Sequence, residues 1–351
     1  MSDRSVFKSS DRRIFFLLLV LVSLAPLRAE EDLGERIASE VQRVFLERRA
    51  ATVRVEAFDR HGKLCGTGFF ADPAGTIYTL AYIVANATEI FVVYGDRKIP
   101  AKLLVADPRS GIALIKADCN SPFIPVGNAR SLPPSSPIMA IGFPVNREET
   151  PTFGLLGGFD RQFLGRYFMT THIRANLPVE PGFGGAPLLN LKGEAVGIVF
   201  SGIGGGGACY ALPIEAAEKI RMDYVRFGEP RHGWVGVNVE QQEEAVAGSR
   251  VRIVELGPET PAAKAGLQDG DVLLRVGEVK ITGAEDVIDA SFFLTAGDNV
   301  PIVVLRNGQE VSVEVRSINH PITDTALFPK GGMNELHAVV PGPIPDNLKL
   351  E

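Results

Sequence analysis

Cysteine, histidine and tryptophan are scarce in this chain, with three, five and one among 351 residues. Three cysteines, Cys65, Cys119 and Cys209, leave at least one thiol unpaired within a monomer, which excludes a disulfide-framed fold. A single bond between Cys65 and Cys209 stays open as an option in an oxidising compartment, beside three free thiols. No Cys-x-x-Cys pair and no histidine cluster occurs, so the donor pattern of a zinc site is missing. No metal and no cofactor is expected. An excess of positive charge is also lacking: 36 basic residues face 42 acidic ones. That balance argues against nucleic acid or anionic lipid as a partner. The longest apolar run, Ile14 to Ala25, falls short of the ~20 residues a spanning helix needs.

What is present begins with a leader. Arg4, Lys8, Arg12 and Arg13 precede that apolar run, and Leu27-Arg28-Ala29 offers a cleavage site before Glu30. Residues 1–29 therefore read as a signal peptide, which places the protein in the periplasm or outside the cell. No membrane span is expected after cleavage; an uncleaved anchor is the alternative. Residues 30–48 read as a helical segment, with Ile37, Val41, Val44 and Phe45 near helical spacing. Short apolar strands then recur, separated by Pro and Gly turns: Val53 to Ala57, Ile90 to Tyr94, Leu103 to Val105, Ile112 to Ile115, Ile138 to Gly142 and Ala195 to Phe200. Such density suggests an all-β barrel or sandwich. Ile214 to Phe227 reads as a helix stopped by Gly228.

The segment Pro181-Gly182-Phe183-Gly184-Gly185-Ala186-Pro187-Leu188 is the most informative. It resembles the loop that carries the nucleophilic serine of trypsin-like proteases, with Gly184 at the serine's place. Gly66 to Gly75 followed by Ile77-Tyr78-Thr79-Leu80-Ala81-Tyr82-Ile83-Val84 is similar to the strand–turn–strand of the high-temperature-requirement (HtrA) proteases. The catalytic histidine's place there is Tyr82. Asp107-Pro108-Arg109-Ser110-Gly111-Ile112-Ala113-Leu114 resembles the family's aspartate segment, with Gly111 at the aspartate's place. The resemblance implies a trypsin-like double β-barrel over residues 49–228.

All three catalytic places carry the wrong chemistry. A serine hydroxyl needs a positioned base, and the base an orienting carboxylate. Tyrosine titrates near pH ~10 and cannot replace imidazole at neutral pH. Glycine supplies neither an alkoxide nor a carboxylate. Backbone donors at Gly182 and Gly184 alone would leave only about 10³-fold over water. An intact site hidden elsewhere would have to use His61, His172, His232, His320 or His337. His172 lies near the glycine loop, and Ser201 and Cys209 lie on nearby strands.

A second domain is expected over residues 229–316. Trp234-Val235-Gly236-Val237 resembles the carboxylate-binding loop of PDZ domains attached to HtrA proteases. Pro261 to Leu273 resembles the PDZ core of the same proteins. Ala284 to Leu294 reads as a helix, and Val300 to Leu305 with Val311 to Val315 as a hairpin across Asn307-Gly308. The mainly β fold thus ends in an α+β PDZ domain, and residues 317–351 read as an irregular tail. Gly204 to Gly207 is not a phosphate loop, because no Lys-Ser/Thr follows it; it reads as a flexible hairpin near the cleft. A PDZ groove formed by Trp234, Val235, Gly236 and Val237 with Val287 and Ile288 would take extended peptides by strand addition.

These readings together imply an inactive HtrA-like homologue that binds peptides or unfolded proteins with free C-termini, as scaffold, chaperone-like protein or regulator. Two alternatives stand beside it: an endopeptidase with a displaced triad, and an inert subunit of a homo-oligomer or of an active HtrA relative.

Overall fold

A computed structural model describes residues 33–319, except 146, 164–165 and 204–206. The expected leader, its cleavage site, three of the four glycines at 204–207 and nearly all of the tail lie outside these. The chain divides into two compact units, Met1–Glu40 and Val41–Glu351. Helix α1, Leu33–Arg48, crosses the boundary. Within the second unit its last turns bury Val44 fully and pack Val41 and Phe45 on the neighbouring core.

Six strands close the first barrel: β1 Thr52–Asp59, β2 Gly62–Phe70, β3 Thr76–Leu80, β4 Glu89–Tyr94, β5 Arg97–Ala106 and β6 Ile112–Ala117. Their order round the barrel is β1-β2-β3-β6-β5-β4. Alternation drives this: Val53, Val55 and Ala57 are fully buried, while Arg54 between them is half-buried. A one-turn helix, α2 (Ala81–Val84), follows β3. The second barrel contains β7 Pro137–Gly142, β8 Thr150–Phe163, β9 Arg166–Asn176, β10 Pro187–Asn190, β11 Ala195–Ile203 and β12 Ala208–Pro213. It closes in the order β10-β11-β12-β9-β8-β7.

The long β8–β9 hairpin is absent from the sequence reading. Gly154, Gly157 and Gly158 interrupt any alternation in β8, and its pairing with β9 shifts register between Leu156 and Gly158 and again between Asp160 and Gln162. Bulges of this kind erase the period-two signal on which strand recognition rests. Helix α3, Ile214–Phe227, matches its expected span and ends on Gly228 in the left-handed region.

The third body contains β13 Gly233–Trp234, β14 Asn238–Val246, β15 Ser249–Val254, helix α4 Pro261–Lys264, β16 Val272–Val276 and β17 Val279–Lys280. Helix α5 Ala284–Phe292, β18 Asn299–Arg306, β19 Gln309–Arg316 and β20 Ile318–Asn319 complete it. The main sheet runs β14-β15-β16-β18-β19, so β14 is an edge. Its own core includes Val251, Ile253, Leu273, Ile302 and Val304. Two expectations change here. Helix α5 ends at Phe292 rather than Leu294. The tail does not turn irregular at 317: Ile318 and Asn319 pair with Trp234 and Gly233, and buried Ser317 donates to the Thr295 carbonyl.

The link at 229–232 is tied down rather than loose. Lys219 Nζ donates to the Arg231 carbonyl, and Asp223 accepts from Arg231 N. His232 Nε2 lies 2.7 Å from Asp107 Oδ1. Further on, Asp289, its side chain 1% exposed, accepts from Arg130 at 2.7 Å, the Thr170 hydroxyl at 2.9 Å and Thr171 N at 2.8 Å. Asp286 pairs with Arg161 at 2.7 Å. Helix α5 is thus fastened to β8 and β9 by two buried carboxylates.

Removing Asp289 would leave the Thr170 hydroxyl and Thr171 N–H buried without their acceptor, while half-exposed Arg130 can turn to water. Asp289→Ala is expected to cost about 1–3 kcal/mol, read as a lowered melting temperature by calorimetry. Burial opposes ionisation of Asp289, but Thr171 N–H, Arg130 and the Thr170 hydroxyl outweigh it and hold its carboxyl below the usual range. Asp107 is likewise held down, by His232 and Ser110 against its burial. Groups with lowered folded pKa contribute stability that is complete above the unfolded value, near ~3.9. It is lost as pH falls through the folded values. Buried His172, its pKa lowered to about 4, takes up a proton only when unfolded between about pH 6.5 and 4, so the melting temperature should decline from about pH 6.5 downward and drop more steeply below about pH 4.

Candidate functional site

The glycine loop lies where the two barrels meet, and one side chain fixes it. Thr67 on β2 is fully buried. Its N–H donates to the Gly184 carbonyl at 2.9 Å, and its hydroxyl donates to the Gly182 carbonyl at 2.7 Å. The same hydroxyl accepts from Phe143 N at 2.9 Å, and the Thr67 carbonyl accepts from the Thr79 hydroxyl at 2.8 Å. The Pro181–Gly185 turn is stitched through one residue to the first barrel.

Tyr82, in α2, points its hydroxyl at Gly184. A Cβ on Gly184 would overlap Tyr82 Oη, lying also 3.2 Å from Tyr82 Cζ and 3.4 Å from Leu80 Cδ1. The phenol therefore fills the volume a side chain at 184 would need. The residue as a whole is 38% exposed, and burial pushes its pKa up. It stays protonated at neutral pH and is no base. Gly111 lies beside them: its carbonyl accepts from Ala81 N at 2.7 Å. Its φ of 76° suits glycine, and a Cβ there would meet the Phe200 ring at 3.2 Å. Phe200 thus crowds the ground an orienting carboxylate would occupy. The three positions singled out from sequence come together at one cleft, and none brings a nucleophile, a base or an acid to it.

Among the described residues the other candidates do not assemble a replacement; His320 and His337 lie outside these. His172 is buried, stacked on Phe168 at 3.9 Å between ring centroids, with Nδ1 at 2.8 Å from the Thr170 carbonyl. Burial lowers its pKa to about 4. Cys209 is fully buried, which pushes its thiol up to about 12. All three cysteines are free, so Cys65 and Cys209 are not bonded. Ser201 is exposed on β11. Sequence reasoning missed one serine–aspartate–histidine contact: Asp107 accepts from the Ser110 hydroxyl at 2.6 Å and meets His232 Nε2 at 2.7 Å. The order is wrong for acyl transfer, because the aspartate stands between the other two and the histidine touches no serine. His232 Nδ1 is buried without a partner. Only the Asp107-x-x-Ser110 turn hinted at this in the sequence; His232, on a distant segment, gave no signal.

Among the described residues no group of three or more His, Cys, Asp or Glu is placed to hold a metal. No helix among them is long and apolar enough to cross a membrane. Two cavities, of about 570 Å³ beside Asn128 and Asn190 and about 440 Å³ beside Phe293 and Val279, lie away from Gly184.

The expected peptide-binding residues fall in the third body. Val235 belongs to its core, and Val237 and Val287 pack on it. Ile288 is half-buried on α5. Trp234 is half-buried, paired through β13 with Ile318. Gly236 has φ 78° and sits between Thr260 and the Trp234 ring. The N–H groups of Val235, Gly236 and Val237 have no acceptor among the described residues. Gln241 Oε1 on β14 accepts from Ala284 N at the start of α5, at 2.9 Å.

Residues 66–198 match the trypsin-like peptidase domain family, and residues 233–316 the PDZ domain family. A probable periplasmic serine endoprotease, DegP-like, from Pseudomonas fluorescens is 32% identical over 308 residues, covering 83% of this chain and 64% of the relative. Its namesake from Halomonas elongata is 32% identical over 263 residues, covering 71% and 55%. The chain thus spans less than two thirds of these relatives' length. The HtrA-type protease AlgW with tripeptide shares the fold at TM-score 0.67 and 24% identity, over 81% of this chain and 98% of that one. A serine endoprotease from Yersinia pestis aligns at TM-score 0.59 and 25% identity, over 80% and 98%. With its two closed barrels and its appended sheet, this chain belongs to the HtrA-type family of trypsin-like serine proteases with a C-terminal PDZ domain.

Proposed function

We propose that this chain is a catalytically inactive member of its family, retained as a binding protein of the periplasm or cell exterior. The observation that carries the reading is the Tyr82 hydroxyl standing in the space of the side chain missing from Gly184. Loss of the nucleophile and replacement of the base fit one another as packing. Gly111 lacks the carboxylate that would orient a base, and Phe200 crowds its site. The relatives' endoprotease activity is not carried over to this chain.

The PDZ domain is the proposed working part. Three unpartnered N–H groups at Val235, Gly236 and Val237 suit a terminal carboxylate, and β14 offers a free edge for an added strand. Val237 and Val287 supply an apolar seat for the last side chain. Peptides or unfolded proteins with free, apolar C-termini are the ligand class, and the role is that of scaffold, chaperone-like holder or regulator.

Purified protein should leave casein intact and fail to react with serine-directed covalent probes. Sustained cleavage that co-purifies with the monomer and resists contaminant controls would overturn the inactive reading. Gly184→Ser should add no activity and should cost about 1–3 kcal/mol by overpacking against Tyr82. Combining it with Tyr82→Ala should recover most of that loss in a denaturant melt.

Peptides with a free apolar C-terminus should bind in the micromolar range, because one short strand buries little area. Amidation of the terminus should abolish binding. Gly236→Pro should do so too, since proline cannot adopt φ 78° and brings no N–H. Equal binding of free and amidated peptides, or none, would favour an inert structural subunit instead.

A further inference from the structure

The free edge of the PDZ sheet carries a charge pattern that bears on its ligand. Strand β14 reads Asn238-Val239-Glu240-Gln241-Gln242-Glu243-Glu244-Ala245-Val246 and holds three acidic residues and no basic one. Glu240, Glu243 and Glu244 are all exposed, and none forms an ion pair among the described residues. Their nearest cross-strand cation, Arg252 opposite Glu240, is turned to the Gly270 carbonyl at 3.0 Å. Glu240 takes only a neutral hydrogen bond, from Gln242 at 3.2 Å.

The acidic residues lie on the strand to whose open edge a peptide would be added. Strand β14 pairs with β15 on one side and with nothing on the other. A peptide whose carboxylate sits at Val235–Val237 would run antiparallel to β14 and pass outward along it. Directly opposed side chains in such a pair share a face and lie about 5 Å apart. Counting from the terminal residue beside Val237, the fourth residue from the end stands opposite Glu240; past Gln241 the β14–β15 ladder shifts register before Val246, and Glu243 and Glu244 lie in that stretch. The apolar seat at the terminus and the acidic track beyond it are therefore distinct segments of one groove.

The wall facing β14 is held still. Helix α5 is anchored on its far side by Asp286 and Asp289, and Gln241 bridges from β14 to its first turn. Selection by a fixed wall and a charged edge needs no rearrangement of the domain.

We infer that the PDZ groove selects C-terminal peptides that end in an apolar residue and carry lysine or arginine from the fourth residue from the end onward. This rests on the PDZ reading above and specifies the partner: an extended, basic C-terminal segment. Like charges directly opposed across strands repel, and opposite ones attract, so an acidic peptide is disfavoured as much as a basic one is favoured.

The test uses the full chain and three synthetic peptides with one shared apolar C-terminus. They carry lysine, alanine or glutamate at the fourth position from the end. The lysine peptide should bind about tenfold more tightly than the glutamate peptide at low salt, with alanine between. The gap should shrink at high salt as screening sets in. In Glu240→Lys the order should reverse, with an unchanged melting temperature as the report of an intact fold. Equal binding of all three overturns this inference and leaves the PDZ reading standing. Failure of all three, with free and amidated ends alike, overturns both.

Discussion

The close approach of the glycine loop to the first barrel, secured by Thr67, is the constraint on which the cleft depends. One buried threonine makes four hydrogen bonds to three segments. Each contributes on the order of 1 kcal/mol net, and an orphaned partner would cost more. With the loop held there, the distance between Gly184 and α2 is no longer adjustable. Whatever residue stands at position 82 must share a fixed volume with position 184. A tyrosine there leaves room for glycine alone. The same contacts that hold the family's fold set that shared volume.

The second organising feature is the buried acidic pair on α5. Asp286 and Asp289 tie the PDZ helix to β8 and β9, while Asp107 and Asp223 tie down the linker and its surroundings. Such charges are costly to bury and are tolerated because every carboxylate is matched by several donors. They make the junction specific rather than merely sticky. A groove built on a helix so anchored presents a rigid wall, and its selectivity is left to the edge strand opposite.

Apart from the triad positions, the chain keeps the features on which the peptide-binding proposal rests. Its PDZ domain keeps unpartnered backbone donors at a glycine turn, an apolar seat and an open strand edge. None of these requires the triad. The triad positions lie in the barrels and Val235 to Val237 in the PDZ body, which has a core of its own while Phe292 and Phe293 at the end of α5 pack into the barrel cluster.

Much of this was legible in the sequence because it rests on local patterns. Alternation in Val53, Val55 and Ala57 gave a strand, Pro213 and Gly228 bracketed a helix, and Asn307-Gly308 marked a hairpin. The glycine at 184 and the tyrosine at 82 could be named as substitutions from motif position alone. Other features could not be seen. The β8–β9 hairpin hides behind bulges and glycines that break its period. The short strand Ile318–Asn319 is too brief to carry a pattern and exists because Gly233 and Trp234 pair with it. The Asp107–His232 contact and the grip of Thr67 join residues far apart in the chain, so no spacing announces them. The chemical groups are set by the sequence itself: which side chains are absent at positions 82, 111 and 184, and which charges line 238–246. Only tertiary packing decided that the Tyr82 hydroxyl fills the vacancy at Gly184, and that those charges face an open edge, because volume and neighbourhood arise only when distant segments meet.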